Sequence, residues 1–109
     1  MDKVIRDGKV AVLVSSGYGA GWSTWVSDEY RETYLFHPKF VGMVEEGREL
    51  EITSEWIEKE LGIETTYTYT GGSDGLHIVW VPVGTQFRIE EYYGAESLRT
   101  IDDYNWVIA

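Results

Sequence analysis

The sequence predicts an α+β fold: a mainly antiparallel sheet with two or three short helices packed on one face. Three observations predict it. Five apolar residues, Val10 to Val14, run without a polar break, the pattern of a strand buried on both faces. The middle of the chain carries a helical period, with Leu50, Ile57 and Leu61 forming one apolar stripe between Glu49 and Leu61. The last third reads as a meander, with short apolar or alternating segments separated by glycine turns. Helices lying between two groups of strands place themselves on one side of the sheet.

Each element has its own local reason. Val4–Ile5 and Val10–Val14 make a first strand or hairpin, with Asp7-Gly8 as its turn signal. Ser27-Asp28-Glu29 offers a helix start with acidic residues in the first turn. Pro38 suits the first position of a second short helix, which Phe40, Val41 and Val44 anchor and Gly47 caps. The helix from Glu49 to Leu61 carries a Glu55–Lys59 pair at i,i+4 and ends at Gly62. Thr65 to Thr70 alternates as a half-exposed strand, Gly71 to Gly75 turns, and Leu76 to Val81 reads as a central strand. Thr85 to Tyr92 follows, then a turn at Tyr93-Gly94-Ala95 and a last strand over Tyr104 to Ile108.

The 109 residues fit one domain and need no staple to bury a core. With no cysteine there is neither a disulfide framework nor a thiolate zinc site. His37 and His77 lie far apart, without the spacing of a metal pair, and their ordinary roles are a helix cap and a core hydrogen bond. No cofactor is expected. The N-terminal residues are charged, and no segment approaches the roughly 20 apolar residues of a membrane span. The expectation is a cytoplasmic protein with no membrane partner.

One loop concentrates binding chemistry. Gly17, Gly19 and Gly21 free the backbone, Tyr18, Trp22 and Trp25 supply rings, and Ser16, Ser23 and Thr24 supply hydroxyls. Stacking, backbone N–H access and orienting hydroxyls together describe a small-ligand loop. They equally describe a tight turn over an aromatic core. The loop departs from the dinucleotide fingerprint, because Trp22 stands where its third glycine is required, and no lysine follows Gly21 as a phosphate-binding P-loop demands. Arg88 is the cation best suited to clamp a phosphate or carboxylate, with a surface pair to Glu90 as its ordinary role. Arg99 has the same two readings. The second glycine cluster, Thr70 to Gly75, is either a hairpin turn or a second wall facing the first loop. No serine sits in a nucleophile elbow, and Glu90 and Glu91 point to opposite faces of a strand, so catalysis finds no support.

Charge sets the partner classes. The formal net charge is −10, from 19 acidic and 9 basic residues, which works against direct nucleic-acid binding. Two functions compete. In the first, the glycine–aromatic loop and Arg88 hold a nucleotide-like small molecule, with Trp22 and Tyr18 stacking on a base. In the second, the acidic face over Glu45, Glu46, Glu49, Glu51, Glu55, Glu58 and Glu60 blocks the basic cleft of a protein partner. A small hydrolase acting on the same ligand ranks third. A pocket in so small a domain would be shallow, which leaves room for two chains to share it as a homo-oligomer.

Two segments carry a resemblance. The first is Ser16 to Trp25, with its GYGAGWSTW core; the second is Trp80 to Leu98, with the pattern WVPxGTxFRIEEY. Together they resemble a group of short bacteriophage- and prophage-encoded proteins that carry no assigned activity. No catalytic or ligand residue is therefore carried over. The resemblance implies a setting: a phage accessory protein in the cytoplasm of a bacterial host, where such proteins redirect or block host functions, antiviral defence among them.

Overall fold

In the computed structural model, which describes residues 2–17, 19–64, 66 and 68–101, the chain is organised around one strand, Lys9–Ser15 (β2). A tight Asp7-Gly8 turn, both residues at positive φ, joins it to the short strand Ile5–Arg6 (β1). This is the geometry a two-residue hairpin needs. Leu76–Pro82 (β3) pairs antiparallel with the other edge of β2, with Val12 opposite Val79, to give the order β1-β2-β3. The central strand is therefore β2, and β3, expected in the centre, pairs with β2 alone among the described residues. Its His77 is exposed, with Nδ1 3.2 Å from the Gly75 carbonyl, and is not a core residue.

Because β2 alternates between two apolar faces, it holds two cores. Ala11 and Leu13 face one side, with Trp22, Tyr34, Phe40, Val41, Ile52 and Ile57. Val12 and Val14 face the other, with Leu35, Phe36 and Val81. Two helices cover the first side: Pro38–Glu45 (α2), which starts at its proline, and Ser54–Leu61 (α3). The second side is covered by a separate hairpin, Phe87–Tyr92 (β4) and Ala95–Thr100 (β5), through Phe87, Ile89 and Leu98. The helix Arg31–Phe36 (α1) lies between the two cores, sending Tyr34 into the first and Leu35 and Phe36 into the second. The fold is α+β with antiparallel pairing throughout the described strands.

Several expected elements differ. The helix expected from Glu49 is broken: a single 3-10 turn, Glu49–Glu51, gives way to α3 at Ser54. Thr53 breaks it by accepting the Trp56 N–H as an N-cap. Leu50 consequently leaves the apolar stripe at 66% exposure, and Ile52 is buried in its place. Asp28–Tyr30 forms a 3-10 turn ahead of α1 rather than its first helical turn. Within the alternating segment, Thr65 and Tyr67 lie outside the described residues, and residues 68–70 are in no strand. The sequence reading passed over β5, whose Glu96, Ser97 and Arg99 hide its period. The strand expected over Tyr104 to Ile108 lies outside the described residues.

Candidate functional site

Three glycine-bearing loops meet at one end of β2. Its last residue, Ser15, donates its hydroxyl to the Gly72 carbonyl at 2.7 Å, and Ser16 N–H donates to the Gly75 carbonyl at 3.2 Å. Gly19 N–H donates to the Tyr93 carbonyl at the tip of the β4–β5 hairpin. The packing is too close for side chains. A Cβ on Gly72 would overlap the Gly21 carbonyl oxygen, and one on Gly94 would overlap Ala20 N. The first and second glycine clusters do face each other, but they touch, with backbone against backbone.

Glu96 of β5 holds this corner together. Its carboxylate is 4% exposed and accepts from Ser15 N–H at 3.0 Å and Trp22 N–H at 2.8 Å. It also accepts the Thr24 N–H at 3.1 Å and the Thr24 hydroxyl at 2.6 Å. A backbone nest of this kind attracts an anion. Here the chain supplies its own. No local pattern in the sequence marks Glu96 out among the 19 acidic residues.

The loop residues therefore separate. Trp22 is fully buried, its ring centroid 4.5 Å from Tyr34 and 5.2 Å from Phe40, and its Nε1 donates to the Tyr34 carbonyl. That ring has no open face, which corrects the expectation that it stacks on a ligand. Trp25 is 43% exposed, leans on Tyr69 and donates Nε1 to Glu91. Ser16 and Gly19 are exposed, Gly17 is half-buried and Gly21 is buried beneath the Trp25 ring. Tyr18 lies outside the described residues.

Ser23 and Thr24 instead line a cleft of about 810 Å³ that Arg88 also lines. It runs between α1 and β4, across the second core rather than over the glycine loop. Its floor is apolar: Leu35, Phe36, Phe87 and Ile89, with the Phe36 and Phe87 rings edge to face at 6.1 Å. Lys3, Arg31 and Arg88 stand around it, and the Lys3 ammonium lies 4.4 Å from the Phe36 ring centroid. Asp28 and Glu32 are the acidic residues of the lining, which leaves one positive charge in excess within a strongly acidic protein. Arg31 pairs with Asp28 at 2.6 Å and Arg88 with Glu90 at 3.0 Å. Such exposed pairs are worth little and exchange readily for a better anion. Ser23 is buried at 1% exposure, and its Oγ has no hydrogen-bond partner among the described residues.

Lys3, Arg31 and the two phenylalanines gave no sequence signal, since they come from the N-terminus, a helix and a distant strand. The acidic helical face is cross-linked by cations. Arg6 pairs with Glu45, Arg48 with Glu46 and Glu51, and Lys39 with Glu60. Arg6 holds the Glu45 carboxyl below its ordinary range, and Arg48 does the same to Glu51. No helix among the described residues is long and apolar enough to cross a membrane. No protein-family model, curated protein or solved structure matches the chain.

Proposed function

We propose that this protein is a non-enzymatic receptor for a small anionic molecule of nucleotide type, held in the cleft between α1 and β4. The observation that carries the reading is the cleft itself, which joins a floor containing two phenylalanine rings to cations in a chain of net charge −10. Its volume lies within the usual range of small-molecule sites, about 300–1,000 Å³. A flat ring would lie against Phe36 and Phe87, and Arg31, Arg88 and Lys3 would meet a phosphate or carboxylate. Of the residues the sequence offers as ligand-binding, Ser23, Thr24 and Arg88 line this cleft. The glycines and Trp22 contribute by building the corner that Glu96 holds.

The resemblance of two segments to phage and prophage proteins supports a setting. There the receptor acts in the bacterial cytoplasm and withholds a signalling nucleotide from the host's defence. The competing reading, an acidic face presented to a basic host protein, is weakened because Arg6, Arg48 and Lys39 already engage much of that face.

Isothermal titration with adenosine 5′-monophosphate, beside native mass spectrometry of gently purified protein, tests the reading. Saturable binding that weakens roughly tenfold in Arg31→Ala and at high salt is the expected result. Absence of both titration heat and a retained ligand mass would return the function to the acidic face.

A further inference from the structure

The outer edge of β3 differs from the other strand edges among the described residues. Proteins blunt such edges with short strands or charged side chains. β1 is two residues long and carries Arg6, β4 carries Arg88, Glu90 and Glu91, and β5 carries Glu96 and Arg99. β3 runs for seven residues without an acid, a lysine or an arginine. Its Ile78, Val79 and Trp80 are all half-buried. Ser16 N–H bonds the Gly75 carbonyl and Val83 N–H the Gly8 carbonyl, which sets the alternation of the ladder. His77, Val79 and Val81 therefore turn their backbone groups to β2, opposite Val14, Val12 and Val10. Those of Ile78 and Trp80 point outward, where β3 has no strand partner among the described residues.

We infer that this edge pairs with the same edge of a second copy of the chain, antiparallel about a two-fold axis at Val79. In that register Ile78 lies opposite the second copy's Trp80, and each donates its N–H to the other's carbonyl, an exchange that the axis repeats. The side chains agree with the backbone. Val79 meets Val79 on one face, and Ile78 meets Trp80 on the other, a β-branched residue against an aromatic one. Pro82 has no N–H and ends the pairing. Charge selects a copy of the chain as the partner. Two chains of net charge −10 repel wherever their acids meet, and this edge sets no acid opposite another. A charged peptide would gain no ion pair from it. No residue of β3 lines the cleft, so each copy keeps its own cleft and the pairing does not depend on what the cleft holds.

Hydrogen exchange of the native chain tests this, read residue by residue by NMR at about 50 μM and about 1 mM protein, beside sedimentation velocity. The expected result is a dimer mass at the higher concentration, with exchange at Ile78 and Trp80 slowed several-fold. Val79 and Val81 are bonded to β2 in both forms and serve as the reference. His77 is exposed, and His77→Glu sets a carboxylate on the paired edge of each copy. It should weaken association about tenfold while the melting temperature is kept. Tyr92→Glu adds the same charge at an exposed position on β4 and should leave association nearly unchanged. A monomer at both concentrations overturns the inference, and slow exchange at the two amides would then mean that the same chain covers its own edge. A dimer that leaves both amides unprotected, or that the two variants weaken equally, joins through another surface and overturns it as well.

Discussion

Glu96 accepts the backbone N–H of Trp22 at 2.8 Å across 74 residues of sequence, and that bond fixes where the tryptophan ring lies. With its N–H held on β5, the Trp22 side chain enters the first core against Tyr34 and Phe40. Removing the carboxylate leaves the N–H groups of Ser15, Trp22 and Thr24 without an acceptor. Glu96→Ala should destabilise by on the order of 3 kcal/mol or more, lowering the melting temperature by roughly 10 °C or more. Glu96→Gln keeps one acceptor oxygen and should cost about 1–2 kcal/mol. Urea melts of the two variants would show this order, and equal stabilities would remove Glu96 from its central place.

The two loop tryptophans should behave oppositely. Trp22→Ala empties a buried site and strands the Tyr34 carbonyl, a change expected to cost about 3–5 kcal/mol. Trp25→Ala removes a half-exposed ring and one hydrogen bond, and about 1 kcal/mol is expected. Thermal denaturation distinguishes them. A Trp22→Ala protein melting near the native temperature would mean that the ring is a surface feature after all.

The fold was legible where a residue's neighbours in sequence decide its fate. Asp7-Gly8 needs positive φ and makes the turn; Pro38 opens α2; Gly62, at φ +70, ends α3. It was not legible where a distant partner decides. Nor was it legible where two local signals compete: Thr53 caps α3, so Leu50 leaves the apolar stripe expected over Glu49 to Leu61 and Ile52 is buried instead. The candidate site divides the same way. The glycines and hydroxyls of the loop announced themselves, but the anion that the Ser15, Trp22 and Thr24 N–H groups serve lies on β5. The cations and rings of the cleft come from segments that no local pattern joins.

Close backbone contact gives a third expectation. A methyl group on Gly94 would overlap Ala20 N, and Gly94 also sits at φ +89. Gly84, at φ +86, has open space around its Cβ position and so isolates the cost of conformation alone. Gly84→Ala should cost roughly 1–2 kcal/mol, the left-handed penalty. Gly94→Ala should cost clearly more, since the hairpin tip must move off the loop. Should the two variants unfold at the same denaturant concentration, the loop–hairpin contact adds nothing to stability.

A last expectation concerns pH. His37 precedes Pro38, and its Nδ1 accepts the Lys39 N–H at 3.1 Å, capping α2. Burial first, and then the neighbouring Lys39 charge, lower its pKa below the ordinary 6.5. The folded chain thus resists protonation more than the unfolded chain does, and a proton on Nδ1 removes the cap acceptor. The stability this represents is whole above about pH 6.5 and is lost as pH falls through the window just below it. His37→Asn keeps a side-chain acceptor at the cap without a titrating group. The urea midpoint of the native protein should therefore decline between about pH 7 and pH 5.5, while that of His37→Asn stays flatter over the same range. The carboxylates that Arg6 and Arg48 hold down, Glu45 and Glu51, titrate lower still and act alike in both proteins. Parallel curves for the two would place the pH dependence outside α2.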